Sequence, residues 1–95
     1  MTPHPLHALL LLPALTAQAR PVNSPSQAKA IAEHDTGGIA VSARRIHLNG
    51  ATGGWEVDLH LPGEKRGWRC VVDSDTHTVY TKTRIPNPEP PRRRR

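Results

Sequence analysis

From residue 54 onward the chain alternates. Trp55, Val57, Leu59 and Leu61 are apolar and are interleaved with Glu56, Asp58 and His60, the period-two pattern of a strand with one buried and one wet face. Pro62-Gly63-Glu64-Lys65-Arg66-Gly67 reads as a hairpin loop. Trp68, Cys70 and Val72 then take the inward parity against Arg69, Val71 and Asp73, and after a turn over Asp73 to Thr78 a last strand runs from Val79 to Ile85. Upstream, Ile39 to Leu48 is also β-rich, but its apolar positions change parity: Ile39, Val41 and Ala43 first, then Ile46 and Leu48. A bulge near Arg44-Arg45 reconciles the halves. The six residues Asn49 to Gly54 form a loop rich in turn formers. Before Gly38 the period is helical. In Pro25 to His34, Ala28, Ile31 and Ala32 share one face; Ser24 is the N-cap, Pro25 the first helical residue, and Asp35-Thr36-Gly37-Gly38 the stop. So short a helix persists only by packing. The predicted fold is α+β: one short helix on one face of a four-stranded antiparallel sheet, the other face open.

The first nineteen residues contain no Lys, Arg, Asp or Glu. The apolar run Ala8 to Leu15, with Pro13 near its end and Ala17-Gln18-Ala19 after it, reads as a secretory signal cleaved after Ala19. It falls short of the roughly 20 apolar residues of a membrane span, so the mature form is expected to have no transmembrane segment. The predicted organisation is therefore a signal peptide over 1–19, a polar leader over 20–23, a domain over 24–85, and a Pro-rich linker with an arginine tail over 86–95.

Charge changes this picture little. The net charge is +5, but Arg92, Arg93, Arg94 and Arg95 supply four of the thirteen basic residues. Without them the count is nine basic against eight acidic, so the body is near neutral and lacks the basic excess of a specific nucleic-acid-binding domain. The tail reads either as a flexible solvated extension, the favoured reading, or as an electrostatic handle for anionic lipid, glycan or nucleic acid, each charge near an anionic membrane being worth about 1 kcal/mol.

Candidate chemistry is sparse. Ser74, Asp75 and His77 are the residue types of a hydrolase triad, but they sit within one tight turn, which splays neighbours apart; turn residues bonding their own backbone are expected instead. Glu56, Asp58 and His60 share a strand face, yet no HExxH motif or cysteine pair completes a zinc set. No catalytic residue, metal or cofactor is expected. Cys70, the only cysteine, has the inward parity of a core thiol. Trp55 and Trp68 are expected to be the largest core residues on neighbouring strands, and would serve as a ligand platform only from the open side. The expected binding surface is the open face (Glu56, Asp58, His60, Arg69 and Val71) with an exposed strand edge, a site for extended peptides.

The order of elements, with Gly54-Trp55-Glu56-Val57 and then Val72-Asp73-Ser74-Asp75-Thr76-His77-Thr78-Val79, resembles the PepSY domain. That family shows an aromatic-Glu-Val strand and a Val-Asp-x-x-Thr-Gly-x-Val hairpin at similar separation. The resemblance spans Ser24 to Ile85. His77 stands where the family usually has Gly, so it is expected to take positive φ, where His is among the enriched non-Gly residues. What the resemblance implies is a periplasmic or secreted, non-catalytic module that binds another protein, with peptidases as the partner class and inhibition or modulation of their activity as the role. The alternative expectation is an anionic-surface binder acting through the arginine tail.

Overall fold

The structure, a computed structural model, describes residues 21–48 and 52–91. The signal peptide, its cleavage site, most of the loop after Leu48 and the arginine tail lie outside the described residues. The elements are helix α1 (Pro25–Thr36), then strands β1 (Ile39–Ile46), β2 (Gly54–His60), β3 (Arg66–Asp73) and β4 (Thr78–Pro86). The strands form one antiparallel sheet in the order β1-β2-β3-β4, and α1 packs on one face of it. No helix among the described residues is long and apolar enough to cross a membrane.

Local chemistry sets the helix ends. Ser24 is extended, its hydroxyl accepts the Gln27 N–H at 3.2 Å, and the Gln27 side chain reaches back to the Asn23 N–H at 3.1 Å, so orphan amides are satisfied from both sides. Gly37 ends the helix at φ 78°, its N–H donating to the Glu33 carbonyl at 2.8 Å. The helix runs two residues past the expected His34 because the Thr36 hydroxyl donates to the Ala32 carbonyl and accepts the Gly38 N–H.

The core lies between α1 and the sheet. Ala28 and Ala32 meet Ala40, Trp55, Val57, Leu59, Cys70 and Val72. The alternation along β2 and β3 is as predicted, Trp55, Val57 and Leu59 pairing with Val72, Cys70 and Trp68. Trp68 is only partly buried, however.

Four expectations are corrected. The bulge in β1 falls at Val41, between Ala40 and Ser42, rather than near Arg44-Arg45. Ala40 and Ala43 therefore oppose Leu59 and Val57, while Ile39 pairs with His60 and is 40% exposed. The Ala40 N–H donates to the Glu33 carboxylate at 2.8 Å, so the helix supplies a partner at the irregularity. A second bulge, not foreseen, puts Tyr80 between the pairs Val71↔Thr81 and Val72↔Val79. The residues before Ser24 are not merely a polar leader: Val22 is 1% exposed and belongs to the core. Its N–H donates to the Ser74 carbonyl, and its own carbonyl accepts from Trp55 Nε1 at 3.1 Å and the Ser74 hydroxyl at 3.2 Å.

The fourth correction is at the other end. Pro86 still belongs to β4, and the next two residues fold back on the β2–β3 hairpin. Asn87 donates to the Leu61 and Glu64 carbonyls and accepts the Leu61 N–H, and its own N–H bonds to the Lys65 carbonyl. His60 Nδ1 lies 2.8 Å from the Pro88 carbonyl. Gly67 makes room: a Cβ there would collide with the Leu59 carbonyl and come within 2.8 Å of Pro88 and 2.9 Å of Asn87.

Candidate functional site

Cross-strand register builds the open face. Glu56, Asp58 and His60 on β2 lie on the side away from α1, with Arg69 and Val71 opposite Asp58 and Glu56 on β3. All five candidate residues share this face, so the sequence grouping is met in space. What it did not foresee is how their charges are used. Arg44, opposite Glu56 on β1, puts its guanidinium 2.8 Å from that carboxylate. Arg69 holds Asp58 in a two-pronged pair at 2.8 and 3.0 Å, and stands 3.9 Å from Glu56. The hydrogen bond and charge of Asp58 push the Arg69 pKa further above its ordinary value. The result is an ion-pair ladder across three strands, Arg44–Glu56–Arg69–Asp58. Such partly exposed pairs contribute about 0.2–1 kcal/mol each. They leave neither carboxylate waiting for a partner's cation, and the His60 end is held by Pro88.

The turn after β3 is an architectural device. The Asp73 carboxylate accepts the Asp75 and Thr76 N–H groups at 2.8 and 3.3 Å, an Asx-type turn. His77 takes φ 62° as predicted, and its N–H bonds the Asp73 carbonyl. Ser74 is fully buried with its hydroxyl committed to Val22. Asp75 accepts the Thr52 N–H at 2.9 Å, which lowers its pKa. Ser74 and Asp75 are thus aimed at the leader and at the loop before β2, two different segments.

Cys70 is fully buried in the core, and burial, aided by the charge of Asp35, pushes its thiol up to about 11. Among the described residues there is no pocket and no group of three or more His, Cys, Asp or Glu placed to hold a metal.

The helix-side face over β3 and β4 carries the feature that sequence reading missed. Register puts Arg84 opposite Trp68 and Lys82 opposite Cys70. The Arg84 guanidinium stands 4.5 Å and the Lys82 ammonium 5.1 Å from the centre of the Trp68 ring, within cation–π range. Lys82 also pairs with Asp35 at the end of α1 at 3.1 Å. Arg84 has no carboxylate at ion-pair distance among the described residues, and neither has Arg66, which alternation puts on the same side. Parity alone hid it: counted from the inward Val79, Lys82 and Arg84 fall on the side away from the helix, and only the bulge at Tyr80 turns them to the helix side.

β4 is also an edge. It pairs with β3 in unbroken register from Thr81 to Pro86, and its side chains are almost all exposed. Among the described residues, no hydrogen bond runs from the backbone of β4 to anything beyond β3. The opposite edge, β1, is shorter past its bulge and has its Ala40 N–H taken by Glu33. No protein-family model matches this chain, and no curated protein or solved structure matches it significantly.

Proposed function

We propose that this chain is an exported, non-catalytic module, PepSY-like in its strand and hairpin motifs, that binds another polypeptide by accepting it as an added strand on β4. Peptidases are the partner class the resemblance implies, and restraint of their activity is the role. The observation that carries the reading is the unpartnered β4 edge, unbroken from Thr81 to Pro86. Edge strands present unpaired amides and carbonyls that an extended peptide satisfies. The open face contributes beside it. A chain laid along β4 runs next to Thr81 and Thr83, with Val71 and Arg69 one strand further in. Because its carboxylates are paired internally, this face supplies shape and selectivity more than net attraction.

The test is positional crosslinking in the native envelope. A photoreactive residue is placed in turn at Thr83 on β4, Ser42 on β1 and Glu56 on the open face. The expected result is a polypeptide adduct at Thr83 that is weak at Glu56 and absent at Ser42, on protein whose amino terminus is Arg20. Adducts confined to Ser42 or Glu56 would move the surface. Adducts lost only when Arg92 to Arg95 are replaced by Ser would give the function to the tail. Recovery of the protein in the cytoplasm with Met1 retained would remove export.

A further inference from the structure

We infer that the strand accepted by β4 is an acidic, alternating one, with Asp or Glu at every second position facing the helix side and β-branched or apolar residues between them. This rests on the edge-binding reading above and supplies the chemistry of its partner. The two sides of β4 differ in kind. On the helix side are Lys82 and Arg84, flanking Trp68, with Arg66 one strand further in. Among the described residues, the carboxylate at ion-pair distance from them is that of Asp35, and it is engaged by Lys82. On the open side are Thr81, Thr83 and Ile85, opposite Val71, Arg69 and Gly67, a surface of methyl groups and hydroxyls. An added strand alternates with the same period of two. Its helix-side residues become cross-strand neighbours of Lys82 and Arg84, and its open-side residues neighbours of the threonines and Ile85. Opposite charges in such positions attract and like charges repel.

The same cations argue against a second copy as the occupant. Two β4 strands laid edge to edge would bring Lys82 and Arg84 of each copy against the other's, and charged edge residues are a known guard against self-pairing. A membrane surface fits less well than a peptide. Lipid headgroups answer charge but leave the outward-facing backbone groups of β4 unpaired, and Trp68 is covered by its two cations rather than projecting.

The test uses the purified protein and labelled synthetic seven-residue peptides followed by fluorescence anisotropy. The probes are alternating Glu-Val, alternating Lys-Val, a blocked peptide with the Glu-Val composition, and the Glu-Val peptide N-methylated at every second amide. The expected order puts Glu-Val tightest, with the Lys-Val and blocked peptides at least about tenfold weaker. Lys82→Gln with Arg84→Glu is expected to reverse the preference between Glu-Val and Lys-Val. Arg84→Lys is expected to keep it, and so is replacement of Arg92 to Arg95 by Ser. Equal affinity for Glu-Val and Lys-Val, both lost on N-methylation, would overturn this inference and leave edge binding standing. No loss on N-methylation, or no binding by any peptide, would overturn the edge itself. Equal binding of the alternating and blocked acidic peptides would reduce the patch to a general anion attractor. Cosedimentation with phosphatidylglycerol vesicles without peptide binding would assign it to a membrane.

Discussion

Removing Val22 should unfold this protein, although the residue lies outside the helix and strands. Its side chain is 1% exposed, and its backbone makes three hydrogen bonds across the end of the sheet. Val22→Ala deletes two methyl groups at about 0.8 kcal/mol each, plus a small cavity term, for about 2 kcal/mol in all. In a domain of this size that lowers Tm by about 8–16 °C. Starting the chain at Asn23 is worse. It removes the whole side chain and strips partners from the Trp55 indole N–H, the Ser74 hydroxyl and the Ser74 carbonyl. Each abandoned group costs about 1 kcal/mol at the low end, appropriate where water enters the space left behind. The total is about 5 kcal/mol, comparable with the whole stability of so small a core. The assay is urea unfolding followed by Trp fluorescence, with near-ultraviolet circular dichroism reporting Trp55. Both variants unfolding within about 1 kcal/mol of the parent would refute the reasoning. A truncation no worse than Val22→Ala would show that the three hydrogen bonds add nothing.

Four further outcomes are expected. Cys70 should react with alkylating reagents slowly in native buffer and rapidly in denaturant, and equal rates would contradict its burial. Its folded pKa of about 11 lies above the ordinary value of 9.0, so the unfolded chain gives up the proton first. Stability should thus be intact below about pH 9 and fall between about pH 9 and 11 by up to about 1.4 kcal/mol per unit, an alkaline loss that Cys70→Ala abolishes. His77→Gly should stabilise by up to about 1 kcal/mol, since φ 62° strains a residue with a Cβ and the more flexible unfolded glycine offsets part of the gain; a clear loss in thermal melts would show that the imidazole is needed. Gly67→Ala should destabilise by about 1–3 kcal/mol or more, because its Cβ meets the Leu59 backbone, which cannot yield, and loss of the Asn87 amide contacts should be visible by NMR; a neutral result would contradict the close approach of Leu59 to Gly67, and unchanged Asn87 amide signals would mean that Asn87 is not docked there.

The fold was legible where one rule decided. Along β2 and β3 the alternation is strict and both faces are constrained, so the period of two gave strand, register parity and the burial of Val57, Leu59, Cys70 and Val72 together. The helix caps at Ser24 and Gly37 were equally readable, since each follows from the chemistry of one residue, whereas the left-handed His77 was expected only from its place in the hairpin pattern of the family the chain resembles. β1 was not. Its apolar positions admit several bulge sites, and the choice of Val41 is accompanied by a partner on another element, the Glu33 carboxylate that takes the Ala40 N–H. Val22 and Asn87 were missed for the same reason. Their local composition is that of a leader and a linker, and only long-range partners at Trp55, Ser74, Leu61 and Glu64 make them part of the fold.

The binding surface divides along the same line. Parity alone brings Glu56, Asp58, His60, Arg69 and Val71 to one face, but a face is open to a partner only as far as its own charges leave it so. Arg44 and Arg69 neutralise the carboxylates at 2.8 Å each, which only the register of three strands can reveal. On the other side a twelve-residue helix lies mainly over β1 and β2 and reaches β4 through Asp35 and Lys82. Trp68 therefore stays only partly buried, and the side chains of β4 are left almost all exposed. Burying the cationic side of β4 would cost the hydration of Lys82 and Arg84 unless acids came with the cover, which is why the strand proposed for this edge is an acidic one. On that proposal, charge at residues 82 and 84 is the quantity that sets which strand the edge accepts.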